Sequence, residues 1–195
     1  MKRLFDIILS SAGLVFLSPI FLLLAIWIKL DSKGPVFYRQ VRVGKNGKDF
    51  NIYKFRSMRQ GADKKGLITV GGRDPRVTKA GYYIRKYKLD ELPQLINVFI
   101  GDMSVVGPRP EVRKYVNLYT EEQLKVLSVK PGITDIASIK YRNENELLAK
   151  ADNPDIMYIE VIMQDKLKYN LEYIKKQSLL YDIKLILLTF KEVLF

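Results

Sequence analysis

Histidine and cysteine are both absent from the 195 residues. Without cysteine there are no disulfides, no thiolate zinc sites and no thiol nucleophile. Without histidine there is no Ser-His-Asp arrangement, no imidazole metal ligand and no imidazole acid or base. Acidic side chains are also in the minority, 21 against 33 Lys and Arg, for a net charge of +12. Any chemistry must therefore run on carboxylates, hydroxyls, amines and guanidiniums. A hydrophobic content of 48% excludes a disordered chain. The length suits one domain with an appendage, and the basic balance points to nucleic acid, an anionic membrane surface or a phosphorylated substrate.

The apolar residues are concentrated at one end. Ile7 to Ile28 reads IILSSAGLVFLSPIFLLLAIWI, 22 residues without a charge, with Lys2 and Arg3 before it and Lys29 and Lys33 after. As one straight helix it would cover about 33 Å, the thickness of a bilayer's hydrocarbon core. The stretch is long for a cleaved signal peptide and no small-x-small site follows it. Ser18-Pro19 interrupts it midway, and positive charge on both flanks gives no preferred direction of crossing. Two routes fit: a helix that breaks at Ser18-Pro19 and returns to its own side, or a kinked single pass.

The remaining chain reads as an α+β fold, mainly helical, with 1–33 as the membrane segment and 34–195 as the catalytic body. Residues 36–43 (VFYRQVRV) and 49–55 (DFNIYKF) flank Asn46-Gly47, which predicts a β-hairpin. Residues 61–75 are rich in Gly and charge and read as a surface loop. Helices are expected over Thr78–Lys88, Asp90–Phe99, Glu111–Ser128 and Pro154–Lys176, the last capped by Asn153. From Asp182 to Phe195 apolar residues recur at helical spacing. That helix packs on the core, lies in a membrane interface, or does both.

Chemistry concentrates in 84–110, IRKYKLDELPQLINVFIGDMSVVGPRP. Proline is tolerated in a helix's first turn, so Pro93 predicts a start near Leu89 or Asp90. Asp90 and Glu91 then sit beside free N–H groups and the positive end of the dipole, with Arg85, Lys86 and Lys88 just upstream. Adjacent residues on a helix point about 100° apart, so the two carboxylates are free to divide their work. One is suited to attack phosphorus and the other to hold Mg²⁺. Spacing alone favours two acids that merely cap a helix. In Gly107-Pro108-Arg109-Pro110 the prolines restrict Arg109, either for bidentate phosphate binding or as a rigid turn. Before any likeness is considered, a membrane-tethered phosphodiesterase and a nucleic-acid binder remain open.

Together, 74–110, IYKFRSM (52–58) and KPGIT (130–134) resemble the bacterial sugar transferase family, specifically its small monotopic phosphoglycosyl transferases. The likeness runs over nearly the whole chain, and LDELPQL with GPRP at this separation is highly specific. It implies transfer of a sugar 1-phosphate from a UDP-sugar to polyprenol phosphate, with release of UMP, through a covalent intermediate on Asp90. It implies Mg²⁺ held by Glu91, and phosphate or substrate contacts from Arg85, Arg109, Arg142, Lys54 and Arg56. Ser18-Pro19 matches the family's helix break, which implies re-entry into one leaflet. The implied place is the cytoplasmic face of the bacterial inner membrane, on anionic lipid, with no nucleic acid and with downstream glycosyltransferases as partners. After PGIT the chain departs from the family's usual Gly-Leu and reads Asp135-Ile136-Ala137-Ser138-Ile139-Lys140-Tyr141, in a stretch expected to bear on the donor sugar. The longer relatives carry extra N-terminal helices, for which 195 residues leave no room.

Overall fold

A bend at Leu17 divides the N-terminal apolar stretch into α1 (Lys2–Phe16) and α2 (Ser18–Asp31), inclined by 59°. The computed structural model describes residues 1–62 and 74–194. Pro19 has no N–H for the carbonyl of Val15, and the Ser18 hydroxyl donates to that oxygen instead, at 2.8 Å. The bend thus has a local cause in the two residues expected to make it. Among the described residues no single helix is long and apolar enough to cross a membrane, but this bent pair is, by length and composition. Val15, Phe16, Leu22 and Leu23 around the bend are exposed.

Both ends of the pair are fastened to the same body. Lys2 pairs with Asp182, while Arg3 donates to the carbonyls of Val98 and Phe99. Asp6, buried, accepts from the Ser104 hydroxyl at 2.9 Å and from Val105 N at 3.0 Å. At the other end Asp31 accepts from Ala80 N, 3.1 Å. Arg56 donates to the carbonyls of Ile28, Ser32 and Lys33 and to the Ser32 hydroxyl. A helix end leaves carbonyls without intrahelical partners, and a guanidinium with five donors suits that need.

The hairpin forms as expected, from β1 (Phe37–Val43) and β2 (Asp49–Phe55), with Phe37 opposite Phe55 and Val43 opposite Asp49. Asn46 and Gly47 both take positive φ in its turn. Then come α3 (Lys79–Lys86), α4 (Gln94–Ile100) and β3 (Ser104–Val106), which pairs in parallel with β4 (Gly132–Thr134). The helix expected over 111–128 is instead α5 (Arg113–Val116), α6 (Glu121–Leu124) and a tight turn over Lys125–Ser128. Thr120 and Gln123 form a reciprocal capping box, which starts a new helix inside the apolar pattern. After α7 (Ile136–Lys140) and α8 (Glu144–Ala149), the helix capped by Asn153 runs as α9 (Pro154–Met157), a wide π-turn over Tyr158–Ile162, and α10 (Met163–Lys176). The loop expected over 61–75 falls mostly outside the described residues.

The last helix, α11 (Leu179–Leu194), packs on the core, as one of its two expected placements requires. Asp182 and Leu185 are buried against β3 and Tyr173, while Leu180, Leu187 and Phe190 are exposed. Asp182 completes the clamp: it takes the Lys2 ammonium and a 2.7 Å hydrogen bond from the Tyr173 hydroxyl. The result is a mainly helical α+β protein to which the bent apolar pair is fastened at both ends.

Arg56→Met tests the fastening of α2. Losing charged hydrogen bonds to main-chain acceptors should cost about 2–3 kcal/mol, read as a lower melting temperature. Binding of a phosphorylated donor by the folded fraction should not change.

Candidate active site

α3 ends where Lys88 turns into the left-handed region, φ 55°. A single tight turn, Leu89–Glu91, follows, then Leu92 and Pro93 with helical angles, and only then α4. The two carboxylates therefore precede the helix instead of sitting in its first turn, because Pro93 occupies its cap. Asn97 fixes this element to the hairpin: its amide oxygen accepts from Tyr53 N at 2.9 Å and its nitrogen donates to Asn51 O at 2.8 Å. Asn97 so extends the ladder of β2, and Lys54, next in that strand, comes to Glu91 at 3.0 Å.

The second cation arrives by a different route. Gly107 and Gly132 lie so close that a methyl on either would strike the other's backbone or its immediate neighbours. Gly107 N donates to Thr134 O and Gly132 N to Pro108 O, at 3.1 and 3.0 Å. GPRP and KPGIT are thereby locked into one corner, and Arg109 projects from it to make a two-pronged contact with Glu91.

The adjacent carboxylates end up in opposite states. Burial alone would raise the Glu91 carboxyl, but Arg109 and then Lys54 override it by charge and hydrogen bonds and hold it well below the usual range. Glu91 in turn raises Arg109. Burial lowers the Lys54 ammonium, against the pull of Glu91. Asp90 is 8% exposed and, among the described residues, accepts no hydrogen bond and forms no ion pair. Burial first, and the Glu91 charge second, push its carboxyl up, while Lys54, Arg85 and Lys88 act to lower it. One acid is restrained and the other is buried yet unengaged.

Both line a cleft of about 1440 Å³ that also takes in Lys54, Arg85, Arg109 and Arg142. Arg85 acts on Asp90 by charge without touching it. Arg142 reaches Glu192 of α11 at 3.2 Å, both exposed, and stays apart from Glu91. Arg56 also lines the cleft, but its terminal nitrogens are bonded to the end of α2. Ser138 and Ile139, from the stretch where the chain departs from its expected pattern, also line the cleft. Asp135 caps α7 there through Ser138 N, 2.9 Å, and the Ser138 hydroxyl, 2.6 Å.

Sequence reasoning passed over several residues. Asn97 and Gln94, three apart and fully buried, share one face of α4, and two amides in an apolar helix were a readable signal. Among the described residues neither amide atom of Gln94 has a hydrogen-bond partner, and the packing gives no account of it. Glu111, next to Pro110, accepts from the Tyr158 hydroxyl at 2.7 Å and joins this corner to the wide turn before α10.

Among the described residues no three acidic side chains gather into a metal cage. Asp90 offers unengaged carboxylate oxygens to a Mg²⁺ of the kind that takes one or two carboxylates and completes its shell with phosphate and water, whereas those of Glu91 already receive Arg109 and Lys54.

The profile of the bacterial sugar transferase family matches residues 1–195. The chain belongs to that family. It is 40% identical over 193 residues to the UDP-glucose:undecaprenyl-phosphate glucose-1-phosphate transferase of Escherichia coli (strain K12), covering 97% of this chain and 39% of that protein. It is 39% identical to the UDP-N-acetylgalactosamine-undecaprenyl-phosphate N-acetylgalactosaminephosphotransferase of Aeromonas hydrophila, over 99% of this chain and 43% of the relative. The chain thus spans about two fifths of these relatives. It spans 87% of a shorter one, the uncharacterized sugar transferase EpsL of Bacillus subtilis (strain 168), at 39% identity.

The two carboxylates should respond oppositely to neutralisation. Asp90 binds protons more readily folded than unfolded, so from the ordinary value near 3.8 upward its ionisation subtracts stability until it is fully ionised. Asp90→Asn should therefore melt higher than the parent at pH 7 without added divalent ion, the gain vanishing below pH 3.8. Glu91 adds stability above the ordinary value of 4.5 and loses it only as pH falls through its depressed folded value. Glu91→Gln leaves two half-buried cations without their carboxylate and should cost about 1–3 kcal/mol at pH 7. Thermal melts of both variants across pH check the pair of signs.

Proposed function

We propose that this protein transfers a sugar 1-phosphate from a UDP-sugar to polyprenol phosphate, and that Asp90 carries the sugar phosphate between the two. The observation that carries the reading is the unequal state of the paired acids: Glu91 held by two cations, Asp90 unengaged in the same cleft.

In the first half-reaction a carboxylate oxygen of Asp90 attacks the phosphorus that bears the sugar. The new bond is an acyl phosphate, and the bond to the bridging diphosphate oxygen breaks to release UMP. In the second, an oxygen of polyprenol phosphate attacks the same phosphorus, forms the diphosphate and restores the Asp90 carboxylate. Neither step needs a proton moved by a side chain, so a site without histidine is adequate. Arg109, Lys54 and Arg85 supply the positive field in which phosphate charge shifts from one oxygen to another. Glu91, with Asp90 beside it, would hold Mg²⁺. When bound, that ion neutralises diphosphate charge and favours departure of UMP.

The acceptor is a long isoprenoid whose phosphate lies at the membrane surface. A hairpin fastened at Lys2, Arg3 and Asp6 on one side of its bend and at Asp31 and through Arg56 on the other supports re-entry into a single leaflet. The chain so placed stands at the cytoplasmic face of a bacterial inner membrane. Its net charge of +12 adds attraction to anionic lipid. Its relatives' names place them with glucose and N-acetylgalactosamine donors. The product is a lipid-linked sugar ready for downstream glycosyltransferases.

Mixing the protein with radiolabelled UDP-sugars, without acceptor, should leave sugar phosphate on the chain. Asp90→Asn should abolish the adduct, and Glu91→Gln should slow its formation and weaken its dependence on Mg²⁺. Equal, full activity of both variants, or no adduct with any UDP-sugar, overturns the reading. In sealed vesicles, single cysteines at the N-terminus and after Lys29 should label from the same side; labelling from opposite sides means a spanning hairpin.

A further inference from the structure

α3 has a buried face and an outer face of different chemistry. Ala80 and Ile84 are buried with Leu24 and Ile28 of α2 and Phe55 of β2, and Gly81 lies against the Ser57 backbone. α3 and the second half of the hairpin are therefore one packed unit. The opposite face of α3 shows Lys79, Tyr82, Tyr83 and Lys86, all exposed, and no acidic residue. The Tyr83 ring stacks on Trp27 of α2, centroids 6.0 Å apart, and meets Tyr82 edge-on at 5.3 Å. Trp27, 42% exposed, continues into the exposed apolar residues Ile26 and Leu30, with Lys29 between them in sequence.

We infer that Trp27, Tyr82 and Tyr83 form a second membrane contact, an aromatic anchor at head-group depth whose flanking Lys29 and Lys79 meet anionic lipid. Tyrosine and tryptophan, each an apolar ring with a polar tip, favour that depth, and lysine beside them favours anionic head groups. Protein interfaces are depleted of lysine, so this composition suits a bilayer better than a second copy of the chain. The patch also adjoins the exposed apolar surface of α2, the segment already read as membrane-embedded.

The anchor has a consequence for the reaction, and this part rests on the proposed transfer. α3 ends at Lys86, and the Leu89–Glu91 turn follows after Tyr87 and Lys88. Fixing α3 at the head groups fixes the height of Asp90 above the acyl chains. A water-soluble donor reaches Asp90 whatever that height, but a lipid phosphate does not. The anchor therefore governs the second half-reaction and leaves the first alone.

Trp27 is the sole tryptophan, so a Trp27→Phe background makes Tyr82→Trp or Tyr83→Trp a single fluorescent probe in the full chain. In phosphatidylglycerol–phosphatidylethanolamine vesicles, both probes should shift to the blue and be quenched by lipids brominated near the head group. Emission that stays red, is open to aqueous acrylamide and is untouched by brominated lipid overturns the anchor. Shielding that appears without vesicles, in a self-associated species, overturns it in favour of a protein interface. Tyr82→Ser with Tyr83→Ser should leave adduct formation from the donor unchanged and slow transfer to polyprenol phosphate about tenfold. The paired Tyr→Phe variant, which keeps the rings, should transfer faster than the Ser pair, and unimpaired transfer in the Ser pair overturns the positional role. If no variant or parent forms an adduct, the transfer reading fails while the quenching still decides the anchor.

Discussion

Three segments far apart in sequence meet at the charge of Glu91. Lys54 comes from the hairpin, Glu91 from the turn after α3, and Arg109 from the glycine-locked corner, and one carboxylate receives both cations. A buried ion pair is a poor source of net stability, since desolvation offsets much of the attraction. Its geometry is directional, however: a guanidinium gripping both oxygens of one carboxylate fixes the corner against the turn. Asp90 inherits its position from that arrangement, one residue away, without sharing in the hydrogen bonds. The cluster thus explains how an unengaged carboxylate keeps a defined place in a cleft of cations.

How much of this was legible in the sequence depends on the range of each interaction. Asn46-Gly47 between alternating strands announced the hairpin, and Asn153-Pro154 announced its helix, because turns and caps are local. Ser18-Pro19 announced the bend for the same reason. The stretch 111–128 misled, since its apolar spacing continues smoothly while Thr120 and Gln123 stop one helix and begin another. Asp90 and Glu91 were visible as a pair, but their place ahead of α4 depended on Pro93 taking its cap, and the state of Glu91 on cations 37 and 18 positions away. Arg56 shows the limit most plainly. An arginine in a motif reads as a phosphate ligand until the end of α2 is found beneath it.

The clamps on the hairpin were the least legible. Lys2 and Asp182 stand 180 positions apart, and Asp6 bonds to residues nearly a hundred positions away. In a sequence, Lys2 and Arg3 are simply flanking positive charge, and Asp6 an acid at the edge of an apolar run. In the fold they are the reason that α1 begins on the catalytic body. A charge that flanks a membrane segment usually speaks about topology through its sign. Here the same side chains also act through specific partners in the fold.

The fastening of the apolar segment also bears on the energetics of the site. A carboxylate buried without hydrogen bonds lowers the stability of the fold, as functional sites commonly do. The surrounding structure has to over-determine it, and the means are on both sides of the turn. Upstream, α3 is pinned by Gly81 on the Ser57 backbone and by the packing of Ile84 among residues of α2. Downstream, Asn97 ties α4 to the hairpin and Arg109 grips Glu91. Because α2 belongs to the upstream support, the bent apolar pair is part of the packing that keeps Asp90 in place. One packed unit thus carries both the apolar segment α2 and the turn that presents Asp90.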